Sequence, residues 1–198
     1  MLPLTMEKKN FNKIPDDVPP YMAPTKAAFL FYQTELQPLI AQEGTQRLKG
    51  MHGLNTHTTA VVFRGIDYAL HMGADPLPVV FACAFHDMAR THDNFDTEHG
   101  KNAVPMAIKI MNQFPNLLDQ DTRSSILSAV LNHTNGQTAP DYISACLWDA
   151  DRTRMAWRYG FDEKFFNTNR GKYVARHRIP YLEYLQSHFP DIRWSKQY

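Results

Sequence analysis

Four residues of the type that binds metal ions occur at three separated points of the chain: His57, the adjacent pair His86 and Asp87, and Asp151. Two imidazoles and two carboxylates suit a divalent ion such as Mn²⁺, Fe²⁺, Ni²⁺, Co²⁺ or Mg²⁺, with water molecules completing the coordination shell. Asp87 follows an apolar run, and an ionised carboxylate beside such a run is costly unless a cation compensates it. These residues predict a metal-binding site.

Each of these residues also has an ordinary structural interpretation when it is taken alone. His57 could be a polar residue in a first helical turn, and Asp87 could cap a helix or pair with Arg90. Asp151 could form an ion pair with Arg154. The metal interpretation therefore depends on the combination of the residues and on their order along the chain.

That order resembles the HD-domain metal-dependent phosphohydrolase superfamily, whose signature is H…HD…D. The resemblance is carried by His57, by FHDMAR at 85–90 and by DADR at 149–152, and it covers roughly residues 45 to 160. In the family pattern the aspartate directly before the arginine is the ligand, which selects Asp151 over Asp149. The resemblance implies an all-α fold and hydrolysis of phosphomonoesters, phosphodiesters or nucleotides.

Two more histidines lie between the HD pair and the last aspartate. Two-metal members of the superfamily carry two histidine ligands in this interval, and the HD aspartate bridges their ions. His133 matches the end of a family helix, whereas His99 follows Asp87 by a shorter gap than the family pattern has. Alternatively, His99 braces the turn TEHG and His133 makes a hydrogen bond behind the ligands. We expect one tightly held ion and a weaker second position; His52 and His92 are the other histidines that could reach the site.

A phosphate substrate also needs positively charged groups beside the metal. Arg64, two helical turns beyond His57, and Lys101 are the catalytic candidates for contacting it. Asp87 is the third catalytic candidate, because it would bind the ion and orient or deprotonate a water molecule. Any single Arg or Lys can instead be a solvated surface residue. Arg152 is predicted to point away from the site into a structural ion pair.

The elements that must position these residues are predicted to be helices, because apolar residues recur with helical spacing and strand-like alternation is almost absent. Predicted helices begin at Thr25, near Asn55, at Asp75-Pro76, at Thr97, near Arg123 and after Pro140, with shorter ones around 162–166 and 180–189. The first should end at Gly44 and be kinked or split at Pro38.

The expected fold is therefore an all-α, irregular helical bundle. The helix that carries LPVVFACAF is apolar on all sides, so it belongs in the middle of that bundle. We expect an extended, proline-rich N-terminal arm over residues 1–24 and a single HD-type helical domain over residues 25–198.

Composition restricts the classes of partner. With 43% apolar and 21% charged residues the chain has the balance of a globular protein, and its formal charge of +1 argues against nucleic acid. Cys83 and Cys146 lie in apolar runs, which favours buried, reduced thiols. The absence of a long apolar stretch argues against a signal peptide and a membrane partner. We therefore expect a cytoplasmic protein.

The leading functional interpretation is a metal-dependent hydrolase that acts on a small phosphorylated substrate or nucleotide. One alternative is a di-iron oxygenase, which uses the same helical cage with all six ligands. Another is a non-catalytic regulatory domain that binds a metal or nucleotide. The identity of the bound metal separates the first two, and turnover on a panel of phosphate esters separates the third.

Overall fold

The computed structural model describes residues 22–178, and within that range the chain forms helices and no strand. The helices are α1 (Met22–Phe31), α2 (Gln37–Glu43), α3 (Thr59–His71), α4 (Pro76–Phe85), α5 (His99–Met111), α6 (Gln120–Asn132), α7 (Tyr142–Tyr159) and α8 (Asn169–His177). Two π-helical turns, Tyr32–Leu36 and Leu54–Thr58, precede α2 and α3, and a 3₁₀ turn, Glu163–Phe165, precedes α8. The all-α prediction is confirmed.

Helix α4 lies at the centre of the bundle, in contact with α3, α6 and α7. Asp75 caps its N-terminus as predicted, by accepting a hydrogen bond of 2.9 Å from the backbone N–H of Leu77. All of its residues except Leu77 are buried, as a helix that is apolar on all sides requires. Its C-terminal end therefore brings His86 and Asp87 into the middle of the protein.

Helix α3 packs closely on α4 because Gly65 faces it. A Cβ atom at Gly65 would lie 2.5 Å from the Cys83 Sγ atom, so a larger residue would push the two helices apart. On the side facing α7, the Tyr68 hydroxyl hydrogen-bonds the Thr153 hydroxyl at 2.9 Å. These contacts fix the helix that follows His57 against the centre of the bundle.

The first helical segment differs from the prediction at its start. It includes Met22, three residues before the expected cap at Thr25, and it ends at Gly44 as predicted. The expected kink at Pro38 takes the form of the π turn Tyr32–Leu36, since proline lacks the N–H that an unbroken helix needs. Residues 1–21 and 179–198 lie outside the described residues, so the arm, the 180–189 helix and the domain boundaries stay predictions.

Helix α5 is capped by a different residue from the one predicted. Asp96, and not Thr97, caps α5, because its Oδ1 atom accepts hydrogen bonds from the backbone N–H groups of Glu98 and His99 at 2.9 and 3.1 Å. Both cysteines are buried free thiols, as predicted. The basic segment at 170–178 falls mostly in α8, a helix that was not predicted. No helix among the described residues is long and apolar enough to cross a membrane.

Candidate metal centre

The described residues contain three overlapping groups whose ligand atoms lie within 4.8 Å of one another. We define the first group as His57, His86 and Asp151, the second group as Asp87, His99 and His133, and the third group as His52, His57 and Asp87. All these side chains are buried except those of His52 and Asp151, which are partly exposed. Solvent therefore reaches the cluster on the side of His52 and Asp151.

Separate elements of the bundle deliver these residues to one point. His57 lies in the π turn Leu54–Thr58, and Asp151 lies in the middle of α7. The others lie at helix ends, with His86 and Asp87 following α4, His99 opening α5 and His133 following α6. Side chains at the ends of packed helices meet without disturbing the apolar contacts between the helices.

The first group is compact. The His57 Nε2 atom lies 3.0 Å from the Asp151 Oδ1 atom and 3.3 Å from the His86 Nε2 atom. The His86 Nε2 and Asp151 Oδ1 atoms are 3.8 Å apart. Three ligand atoms at these separations can contact a single ion.

Asp87 lies between two pairs of histidines, and each of its carboxylate oxygens faces one pair. Its Oδ2 atom is 3.6 Å from the Nε2 atom of His57 and 3.4 Å from that of His86. Its Oδ1 atom is 3.2 Å from the Nε2 atom of His99 and 3.9 Å from that of His133. This is the arrangement that a bridging carboxylate needs.

Three of the histidines are held in the same way, because the Nδ1 atom of each lies 2.7 Å from the backbone carbonyl oxygen three residues earlier: His86 at Cys83, His99 at Asp96, and His133 at Val130. A carbonyl oxygen only accepts hydrogen bonds, so Nδ1 carries the hydrogen and the Nε2 atom of the neutral ring has a lone pair. The Nε2 atoms of His99 and His133 are only 2.7 Å apart. Two lone pairs that face each other fit a site for a cation.

The ionisation states of the side chains in the cluster also favour the binding of a cation. Burial would raise the pKa of Asp87, but His86 and hydrogen bonds from His52 hold it well below its usual range. Burial likewise opposes ionisation of Asp151, whose pKa is nevertheless lowered by His57 and His86. Burial lowers the pKa of His133 to about 4, so this ring is neutral at pH 7. Ionised carboxylates and a neutral imidazole are the states that bind metals.

His86 shows how strongly the carboxylates require a positive charge. Burial lowers its pKa, but the negative charge of Asp87 outweighs burial and raises the pKa to about 9. A cation at this position is therefore favoured by the surrounding protein.

Arg90 contacts the cluster through Asp87. Its Nε atom donates a hydrogen bond of 2.7 Å to the Asp87 Oδ1 atom, so the ordinary ion-pair interpretation of Asp87 holds together with the histidine contacts. Arg154 does not pair with Asp151; it donates instead to the backbone carbonyl of Met51 at 2.6 Å. Asp151 is thereby left facing the histidines.

The structure places the two predicted phosphate-binding cations elsewhere. Arg64 is 5% exposed, donates to the Ala150 carbonyl at 3.3 Å and stacks over the Trp157 ring at 5.0 Å. Lys101 has a side chain that is 74% exposed and lies 3.7 Å from Glu98. None of these contacts is with the histidine and aspartate cluster, so a role for either cation toward a phosphate stays a prediction.

The prediction of an ion pair for Arg152 is wrong. Its guanidinium donates to the backbone carbonyls of His133 and Gly136, which follow α6, where helix carbonyls lack partners within the helix. It also donates to the Phe165 carbonyl in the 3₁₀ turn. Since one of these carbonyls belongs to His133, Arg152 supports the position of that candidate ligand.

The neighbouring aspartates of the DADR motif do different things. Asp149 is fully buried and accepts hydrogen bonds from the backbone N–H groups of Asn167 at 2.8 Å and Thr168 at 2.6 Å. It thus ties α7 to the start of α8 and does not belong to any of the three groups. Asp151, the aspartate that the family pattern selects, belongs to the first group.

His52 is not one of the predicted ligands, although the sequence places it within reach of the site. Its Nδ1 atom lies 3.2 Å from the Asp87 Oδ2 atom. It precedes the π turn in a loop, where helical spacing gives no information on direction; its closeness to His57 in HGLNTH is the only signal in the sequence. His92, the other histidine considered, is exposed.

Replacing Gly100 by alanine should weaken the second group. A Cβ atom there would lie 2.7 Å from the Val130 carbonyl oxygen, which orients His133, and 3.2 Å from the His133 ring. We expect a loss of stability of about 1–3 kcal/mol from this overpacking. We also expect the second bound ion to be lost in metal analysis. The exposed Asn102→Ala on the same helix is the control, and a Gly100→Ala protein that still holds the wild-type number of ions would contradict this account.

This protein is similar to a known protein in its three-dimensional structure. No protein-family model matches the sequence, and no curated protein does. Among solved structures, the chain is similar to the crystal structure of a "predicted HD superfamily hydrolase" from an uncultured Thermotogales bacterium. The TM-score is 0.59 at 18% identity, over 81% of this chain and 92% of that one. The chain therefore shares the helical fold of that structure, which is the fold that the sequence resemblance implied.

Proposed function

We propose that the protein is a metal-dependent hydrolase of a phosphate ester: a phosphomonoester, a phosphodiester or a nucleotide. The observation that carries the proposal is the position of Asp87, whose two carboxylate oxygens face two different pairs of histidines. A bridging carboxylate between two nitrogen-rich groups suits a pair of divalent ions, and paired ions are common in enzymes that cleave phosphate esters.

The residues would divide into two ligand sets that share Asp87. His57, His86, Asp87 and Asp151 would hold one ion, and Asp87, His99 and His133 would hold the other. Because the residues of the second set are all buried, we propose two firmly bound ions in place of the one tight ion and weaker second position expected from the sequence. Bound ions would polarise a phosphoryl oxygen and lower the pKa of a bound water molecule.

The chain's own side chains have defined tasks in this proposal. Arg90 fixes the direction of the Asp87 carboxylate through the Nε–Oδ1 hydrogen bond. The backbone carbonyls behind His86, His99 and His133 keep the Nε2 atoms directed at the centre. Asp151 is 26% exposed, so it lies at the side where a substrate would enter. The rigid bundle around these groups preorganises them and limits access of bulk water.

A di-iron oxygenase is the second candidate, because the cluster holds all six residues that such a centre would need: His57, His86, Asp87, His99, His133 and Asp151. The same cage would serve both reactions, so the metal that the protein retains and the co-substrate that it consumes distinguish them.

Removal and return of metal test the proposal. Protein purified without chelator should contain divalent metal, and extraction with EDTA should abolish hydrolysis of p-nitrophenyl phosphate, its bis ester or a nucleotide panel. Readdition of Mn²⁺, Co²⁺ or Fe²⁺ should restore it, while His92→Ala should behave as wild type. A metal-loaded protein that cleaves none of these esters would contradict the proposal, and oxygen consumption by the Fe²⁺ form would favour the oxygenase.

A further inference from the structure

His52 is held at the edge of the cluster by neighbouring segments of the chain. Its backbone N–H donates to the Asp93 carboxylate at 3.0 Å, and its carbonyl accepts from the Gln46 side chain at 2.6 Å. The preceding carbonyl, of Met51, accepts from Arg154 of α7 at 2.6 Å. A surface loop that served only as a connection would not need three such contacts, so the position of the imidazole is set by the fold.

The His52 Nδ1 atom adds to the donor atoms around the first group. Octahedral ions with bonds of about 2.1 Å have neighbouring ligand atoms about 3.0 Å apart and opposite ones about 4.2 Å apart. The Nδ1 atom is 3.2 Å from the Asp87 Oδ2 atom, which is itself 3.4 Å from the His86 Nε2 atom. The His57 Nε2 atom is 3.0–3.6 Å from its partners in Asp151, His86 and Asp87. These separations are those of neighbouring ligands of one ion.

The third group is not a separate ion site. It consists of His52 together with His57 and Asp87, which already belong to the first and second groups, so His52 is the only ligand that it adds. His52 therefore contributes to the ion of the first group or contributes to none.

We propose that His52 is a fifth protein ligand of that ion, binding through Nδ1 beside His57, His86, Asp87 and Asp151. This inference rests on the metal centre of the proposed function. The set then has three imidazole nitrogens, which favours Fe²⁺, Co²⁺, Ni²⁺ or Zn²⁺ over Mg²⁺. It also leaves a six-coordinate ion with one position free of protein.

The test compares His52→Ala, His52→Gln and the control His92→Ala, with Co²⁺ affinity measured by titration calorimetry. Removing His52 should weaken Co²⁺ binding at least about tenfold. Glutamine can still donate a hydrogen bond to Asp87 but offers no imidazole, so it should not restore the affinity. His92→Ala should bind Co²⁺ as wild type does.

A spectroscopic readout counts the ligands directly. Pulsed electron paramagnetic resonance of one equivalent of Cu²⁺ should show one imidazole nitrogen fewer in His52→Ala than in wild type. The comparison should be repeated in a His133→Ala background, where the second group lacks a ligand. An unchanged nitrogen count, or full Co²⁺ affinity in His52→Gln, would overturn the proposal.

The outcomes separate this inference from the proposed function. Wild-type protein that shows the His52 nitrogen but cleaves no phosphate ester would overturn the function and leave the ligand assignment standing. Wild-type protein that hydrolyses esters while His52→Ala keeps every nitrogen would do the reverse. Wild-type protein that binds neither Co²⁺ nor Cu²⁺ would overturn both.

Discussion

Asp87→Ala should lose both ions at once, a result that no other single substitution in the cluster is expected to give. The carboxylate faces the histidines of both groups, with its Oδ2 and Oδ1 atoms 3.4 and 3.2 Å from the nearest Nε2 atoms of His86 and His99. Without it each group keeps nitrogens but lacks the shared negative charge. Loss of the metal's contribution of about 4 kcal/mol corresponds to a fall of about a thousandfold in kcat/KM.

Metal content by mass spectrometry and hydrolysis rates measure this outcome. Arg90→Met is a matched control, because it removes the hydrogen bond to Asp87 but keeps the carboxylate. It should retain the metal with reduced affinity. Circular dichroism should show that Asp87→Ala keeps its helices, since the residue lies in a turn after α4. An Asp87→Ala protein that retains stoichiometric metal would refute the ligand assignment.

The two aspartates of DADR should give opposite results when each is replaced by alanine. Asp149 accepts hydrogen bonds from two backbone N–H groups and from the Asn167 side chain, all within 3.3 Å. Alanine would leave these donors buried without partners, at a cost of about 3–5 kcal/mol. For a chain of this size that corresponds to a fall of about 6–20 °C in Tm.

Asp151→Ala should instead spare the fold and lose the ion of the first group. Its carboxylate contacts the rings of His57 and His86 and is partly exposed. Its removal therefore leaves no buried backbone N–H group without an acceptor. Thermal unfolding of both variants without metal, followed by metal analysis, separates the two roles. Equal loss of Tm in the two metal-free variants would show that the aspartates are not divided between structure and metal binding in this way.

The parts of the fold that follow from local pattern were predictable. The apolar run before His86 requires a central helix, and Asp75-Pro76 marks where it begins. The choice between Asp149 and Asp151 came from the family pattern. Spacing alone could not make it, because the partners of Asp149 lie 18 and 19 residues later, in a loop whose position depends on the tertiary fold.

The parts that were missed depend on loops. The position of His52 is set by Asp93, which is distant in sequence, and by a loop without helical spacing. Arg152 was expected to form an ion pair, but its guanidinium donates to backbone carbonyls just after α6. In both cases the contact partner is chosen by tertiary packing, which periodicity and capping rules do not describe.

The π turn Leu54–Thr58 fixes the number of residues that can precede α3. A π turn holds one residue more than an α-helical hydrogen bond would span, and such turns occur often at functional sites. Deleting one residue within it would rotate the preceding chain by about 100° relative to α3. Residues before the deletion, His52 among them, would then move away from the cluster although their own neighbours in sequence were unchanged. Insertions and deletions should therefore be tolerated in the outer loops but not between His52 and Thr59, and gaps in sequence alignments should avoid this interval.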